Sequence, residues 1–63
     1  MTVGILGLGL IGGSLARAYA KAGHTVCAFD HDLSILDFAM LADVVDIPLT
    51  KGSLKDCSLI LLA

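Results

Sequence analysis

Near the amino end, Gly7-Leu8-Gly9-Leu10-Ile11-Gly12 sets glycines at the first, third and sixth places of a loop between two apolar segments. A bare G-x-G-x-x-G is a weak signal, so its context decides what it means. Here it follows Thr2 to Leu6, an apolar run that reads as a short buried strand. It opens a stretch from Leu10 to Ala22 with helical periodicity. An acid, Asp30, closes the next apolar run, Val26 to Phe29, at about the 20-residue distance that the dinucleotide fingerprint requires. Strand, glycine turn, helix, strand and acid in that order predict a Rossmann-type unit.

Each glycine has a physical reason. Gly7 allows the tight turn out of the first strand. Gly9 has no Cβ, so the backbone can approach a pyrophosphate closely. Gly12 lets the helix pack against the strand. The helix N-terminus, with Leu10 and Ile11 in its first turn, offers free N–H groups and a positive dipole end to phosphates. No cationic side chain is needed, and no base precedes Arg17. Asp30 can accept hydrogen bonds from both ribose hydroxyls of NAD and would repel the 2′-phosphate of NADP. The next residue, His31, is no arginine clamp. NAD is therefore the expected cofactor, in preference to NADP. The competing readings are a glycine turn that binds nothing and an Asp30 that only ends its strand. His31 reads either as a neighbour of the adenine or ribose, or as an exposed turn residue. His24, after the first helix, reads as a surface residue.

The remaining chain alternates in the same way. Ile11, Leu15, Ala18, Tyr19 and Ala22 share one face of the first helix, and Gly23 stands where a C-cap glycine belongs. Asp32 is placed to cap a second helix with the apolar stripe Leu33, Leu36 and Met40, ending near Leu41 or Ala42. Val44 to Ile47 reads as a short third strand closed by Pro48. Thr50 to Ser53 reads as a turn, Leu54 to Cys57 as one helical turn, and Ser58 to Ala63 as a final strand. The expected fold is α/β, a partial Rossmann-type parallel sheet with order 3-2-1-4. Leu62 and Ala63 should then lie at the carboxyl edge, where cofactors bind. No internal repeat, linker or low-complexity tract interrupts residues 1–63.

Composition narrows the function classes. Apolar residues make up 57% of the chain and charged ones 16%, which excludes disorder and points to strands buried on both faces. All six acids are Asp, against four scattered bases, Arg17, Lys21, Lys51 and Lys55, so nucleic acid is not an expected partner. Met1 to Ala16 carries no charged side chain, yet it has no basic leader region and is too short and glycine-rich for a membrane span. The Gly9/Gly13 spacing of a membrane helix dimer is discounted for the same reason. Ser14 is not in a nucleophile elbow, and no His or Cys shows zinc-ligand spacing. Cys27 and Cys57 are far apart in sequence and read as reduced buried thiols, with a disulfide or a metal pair as the alternative. Reduced thiols fit a cytoplasmic location.

The segment from Val3 to Ala16, with Gly7-Leu8-Gly9-Leu10-Ile11-Gly12-Gly13-Ser14 at its centre, resembles the opening of the prephenate and arogenate dehydrogenases. Lys21-Ala22-Gly23-His24, Phe29-Asp30, Val45-Asp46 and Asp56 to Ala63 continue the likeness over nearly the whole chain, although only the glycine segment is specific. The 3-hydroxyisobutyrate and 6-phosphogluconate type dehydrogenases have a similar loop, usually with methionine before the last glycine. The resemblance implies an oxidoreductase, working in tyrosine biosynthesis by oxidative decarboxylation of prephenate or arogenate. It also implies a catalytic histidine and a helical dimerisation domain beyond this segment. No position here matches that histidine, so no catalytic residue is carried over. The 63 residues are expected to be the N-terminal, adenine-side part of a dinucleotide-binding domain, inactive alone. A non-catalytic nucleotide-sensing module is the rival of another class. The apolar final strand, with an unpaired outer edge, predicts a homo-oligomer through that edge or another apolar surface.

Overall fold

The computed structural model describes residues 1–63. Four strands, β1 (Thr2–Leu6), β2 (Thr25–Phe29), β3 (Ile47–Pro48) and β4 (Leu59–Leu62), form one parallel sheet in the order β3-β2-β1-β4. The helices α1 (Leu10–Lys21), α2 (Leu33–Leu41) and α3 (Lys51–Leu54) fill the connections. This is the 3-2-1-4 order that the strand–helix alternation predicts. None of the helices is long and apolar enough to cross a membrane.

β1 lies at the centre, paired with β2 from Thr2↔Thr25 to Leu6↔Phe29 and with β4 from Val3↔Leu59 to Leu6↔Leu62. Successive side chains of a strand point to opposite faces. Val3, Ile5, Val26 and Ala28 therefore share one face and are fully buried under α1 and α2. Leu8, Ala16 of α1, Leu36 of α2 and Val45 complete that core. Gly4 and Cys27 share the opposite face, where Leu49 and Cys57 pack.

Three details differ from the sequence reading. The inward face of α1 is rotated: Gly12 and Ala16 are buried and Leu15, Tyr19 and Ala20 half-buried, whereas Ile11 is 71% exposed and Ala18 and Ala22 are exposed. Small residues face the sheet because the helix approaches it closely, and the periodic rule, which favours large apolar residues, selects the neighbouring stripe. In α2, likewise, Leu36 is buried but Leu33 is exposed.

The third strand starts later than expected. Val44 and Val45 belong to the turn after α2, both donating to the Ala39 carbonyl at 3.0 and 3.2 Å. Asp43, with φ of 57°, reverses the chain there in the left-handed region. Pairing with β2 begins at Asp46, whose N–H donates to the Val26 carbonyl and whose carboxylate accepts from the Val26 N–H, each at 2.8 Å. Finally, the helical turn lies at Lys51–Leu54, ahead of its expected place. Thr50 and Ser53 form a reciprocal capping box that starts it, which a turn reading of Thr50 to Ser53 overlooks.

Candidate dinucleotide site

At the carboxyl edge of the sheet β1 turns directly into α1. Gly7 takes φ of +99°, a conformation that L side chains avoid. Its N–H donates to the Phe29 carbonyl at 2.9 Å, so the turn is tied to β2. A Cβ at Gly7 would also stand 2.8 Å from the Ala63 carbonyl oxygen. A Cβ at Gly12 would overlap the Gly7 carbonyl oxygen and press on the Ala63 methyl. Gly12 is therefore required by packing of the helix against the loop, as its place in the fingerprint implies.

Gly9 differs from both. It has φ of −63°, and nothing lies within 4 Å of where its Cβ would be. Neither strain nor crowding in the chain requires a glycine there. What the missing side chain leaves is open approach to backbone.

That backbone is rich in unused donors. The N–H groups of Gly9, Leu10 and Ile11 are exposed and donate to nothing in the chain, and the first α1 bond of the loop runs from the Gly13 N–H to the Gly9 carbonyl at 2.8 Å. No side chain caps α1, whereas Asp32 caps α2 through the Ser34 N–H at 3.0 Å and Thr50 caps α3. Leu10 and Ile11 are 93% and 71% exposed, and neither side chain caps the helix start. Uncapped N–H groups together with the helix dipole form an anion site that needs no lysine or arginine.

Asp30 stands beside this turn, at the end of β2. One carboxylate oxygen accepts from the Leu8 N–H at 2.7 Å and the other from the Asp32 N–H at 2.9 Å. The Leu8 bond first, then the Asp32 bond, holds the carboxyl pKa below its ordinary 3.8, and His31 adds to this. The group is therefore ionised at neutral pH. A carboxylate offers about four lone-pair positions, so two remain for outside donors. The bond to Leu8 was not foreseen from the sequence; it makes Asp30 a brace of the glycine loop.

His31 is exposed, its ring edge-on to Phe29 with centroids 5.8 Å apart. It lies one residue from the carboxylate and on the same rim. His24 is half-buried at the opposite, amino edge, where its Nδ1 meets the N-terminal amine at 3.0 Å. It takes no part in the site and stays at the surface, as the sequence reading has it. Ser14 donates back to the Leu10 carbonyl at 2.9 Å. Ala63 lies at the carboxyl edge as expected, its N–H bonded to the Leu6 carbonyl at 3.0 Å. A separate groove of about 670 Å³ runs between α1 and α2, from Gly9 to Val44. It opens on the flank of the loop, and Asp30 does not line it. No cluster of His, Cys or acidic residues could hold a metal ion.

A Rossmann-type sheet, a glycine turn with free amides at its helix start and an ionised acid at the end of the second strand define a dinucleotide-binding domain. The sequence profile of the NAD-binding domain of 6-phosphogluconate dehydrogenase matches residues 2–62, and the chain belongs to that family. No curated protein and no solved structure gives a significant match.

Proposed function

We propose that this chain forms the adenine-side half of the NAD site of a dehydrogenase. The N–H groups of Gly9, Leu10 and Ile11 receive the pyrophosphate, Gly7 and Gly12 shape the turn, and Asp30 accepts from the adenosine ribose, with His31 on the rim beside it. The observation that carries this reading is the pairing of open space at Gly9 with three unpartnered amides at an uncapped helix start. When bound, NAD supplies hydride acceptance. The residues here bind and orient it and move no proton.

The family match favours a dehydrogenase of the 6-phosphogluconate or 3-hydroxyisobutyrate type. The prephenate or arogenate reading is a second one, favoured by the run Ile11-Gly12-Gly13-Ser14. Turnover of each candidate substrate by the enzyme that carries this domain, followed by NADH formation, separates the two.

Calorimetric titration with NAD, NADP and ADP-ribose tests the binding reading. NAD and ADP-ribose should bind about equally, because the adenosine and pyrophosphate supply the contacts. NADP should bind roughly tenfold more weakly against the ionised Asp30. Equal binding of NADP and NAD would remove Asp30 from its role, and absence of binding to all three would remove the site.

A further inference from the structure

Two thiols that the dinucleotide site leaves unused meet on the far face of the sheet. Cys27 is fully buried on β2, and its Cα is the direct partner of Gly4 on β1. Directly paired residues of neighbouring strands place their side chains on the same face. Gly4 has no side chain to place. A Cβ built there would stand 2.9 Å from the Cys57 sulfur, nearer than real side chains come. The sulfur of Cys57 thus fills the space that a side chain at position 4 would need, directly beside Cys27. Cys57 lies just before β4, is half-buried, and its thiol donates to the Ser53 carbonyl at 3.4 Å. Burial pushes the Cys27 thiol pKa up, and charge repulsion from Cys57 adds to this. Both cysteines are free.

We propose that Cys27 and Cys57 form a reversible intramolecular disulfide across Gly4, with hydrogen peroxide as the oxidant. Cys57 reacts first because it alone of the two reaches solvent. Its thiolate attacks one peroxide oxygen, the O–O bond breaks, and hydroxide leaves to become water. Cys57 is now a sulfenic acid. The Cys27 sulfur, after giving up its proton, attacks the Cys57 sulfur, and the S–O bond breaks with loss of a second water. Two thiols are oxidised by two electrons and one peroxide is reduced to two waters. A dithiol reverses the bond by exchange. The closed bond ties β2 to the segment entering β4 and bypasses β1. It closes a loop of about 30 residues, which restricts the unfolded chain and raises the thermal midpoint. The thiols lie on the far face of the sheet, away from the amides of Gly9 to Ile11, so this site and the dinucleotide site stand or fall separately.

The test uses the whole chain, purified reduced and treated with one equivalent of hydrogen peroxide. Denatured samples are then alkylated and weighed. The expected product is monomeric, about 2 Da lighter, unreactive to iodoacetamide and restored by dithiothreitol, with a peptide joining Cys27 to Cys57. Under the same treatment Cys27→Ser should accumulate a dimedone-reactive sulfenic acid at Cys57, and Cys57→Ser should keep an alkylatable Cys27. Gly4→Ala, which displaces the Cys57 sulfur, should slow closure several-fold. Two thiols still alkylating, oxygen gained at Cys57 without closure, or a bond joining two chains would each overturn the proposal; the wild-type chain alone decides it if the variants fail to fold.

Discussion

Alanine at Gly9, Gly12 and Gly13 should give three different results, because the three glycines stand in different surroundings. At Gly9 a methyl group meets nothing within 4 Å, and φ of −63° suits any residue. A stiffer unfolded chain gains about 0.4–1 kcal/mol, and loss of glycine at the α1 N-cap costs about as much, so the fold should keep its stability within about 1 kcal/mol. The new methyl group stands where the pyrophosphate must come close. Loss of one or two charge-assisted bonds, at about 1.5–3 kcal/mol each, weakens NAD by a factor of roughly 10 to 10⁴. At Gly12 the methyl group collides with the Gly7 carbonyl, which is backbone and cannot turn aside. Overpacking costs about 1–3 kcal/mol or more, and the better helix propensity of alanine returns only about 1 kcal/mol. A chain of this size has roughly 3–9 kcal/mol in total, so the loss is a large share of it. At Gly13 the nearest atom is the Leu8 carbonyl oxygen at 3.6 Å, an ordinary contact. Alanine there should stabilise α1 by up to about 1 kcal/mol.

Urea denaturation reads the stabilities, and calorimetry with NAD reads the affinities. The pattern expected is fold kept and binding lost at Gly9, fold weakened at Gly12, and fold strengthened at Gly13. A Gly9→Ala chain that binds NAD as the wild type does would refute the reasoning, since open space at that position is what the ligand reading depends on. A Gly12→Ala chain as stable as wild type would refute the packing half of it.

Two further predictions rest on other parts of the molecule. Asp30 has a pKa lowered in the folded state, so the stability it confers is complete above its unfolded value of 3.8 and is lost as pH falls through the lower folded value. The difference in urea midpoint between wild type and Asp30→Asn should therefore be constant at neutral pH and shrink below about pH 4; a difference independent of pH would remove the carboxylate from the loop brace. β4 pairs only with β1 and exposes Ile60 and Leu62, the latter by 80%. Sedimentation at rising concentration should show dimers or larger species that Leu62→Lys reduces, and a clean monomer at all concentrations would count against an interface there.

The strand order was legible because the chain alternates strand and helix patterns with few exceptions, and the connections of a parallel sheet allow few arrangements. The glycine turn was legible for a different reason: Gly7 and Gly12 are fixed by local geometry that any such turn must satisfy. What failed was detail set by tertiary approach. The α1 face was misplaced because Gly12 and Ala16, which contribute least to hydrophobic periodicity, are the residues that touch the sheet. Val44 and Val45 look like strand residues, yet the left-handed Asp43 turns the chain so that Val45 plugs the core instead. The Cys27–Cys57 meeting stood in the sequence only as an alternative, since residues 30 positions apart in sequence become neighbours only through the β2-β1-β4 order and the vacancy at Gly4.

Asp30 shows how far one residue can join fold and site. Its oxygens already hold the Leu8 and Asp32 amides, so the loop and the start of the second helix connection are fixed before any ligand arrives. Preorganisation of this kind lowers the ordering cost of binding. The same bonds keep Asp30 ionised and leave two of its lone-pair positions free. A carboxylate that served only to end β2 would need neither the Leu8 bond nor the uncapped helix next to it. The competing reading, a glycine turn that binds nothing, accounts for Gly7 and Gly12 through packing. Glycine at position 9 also suits a helix N-cap, but that reading gives no reason for leaving α1 without the side-chain cap that both other helices have.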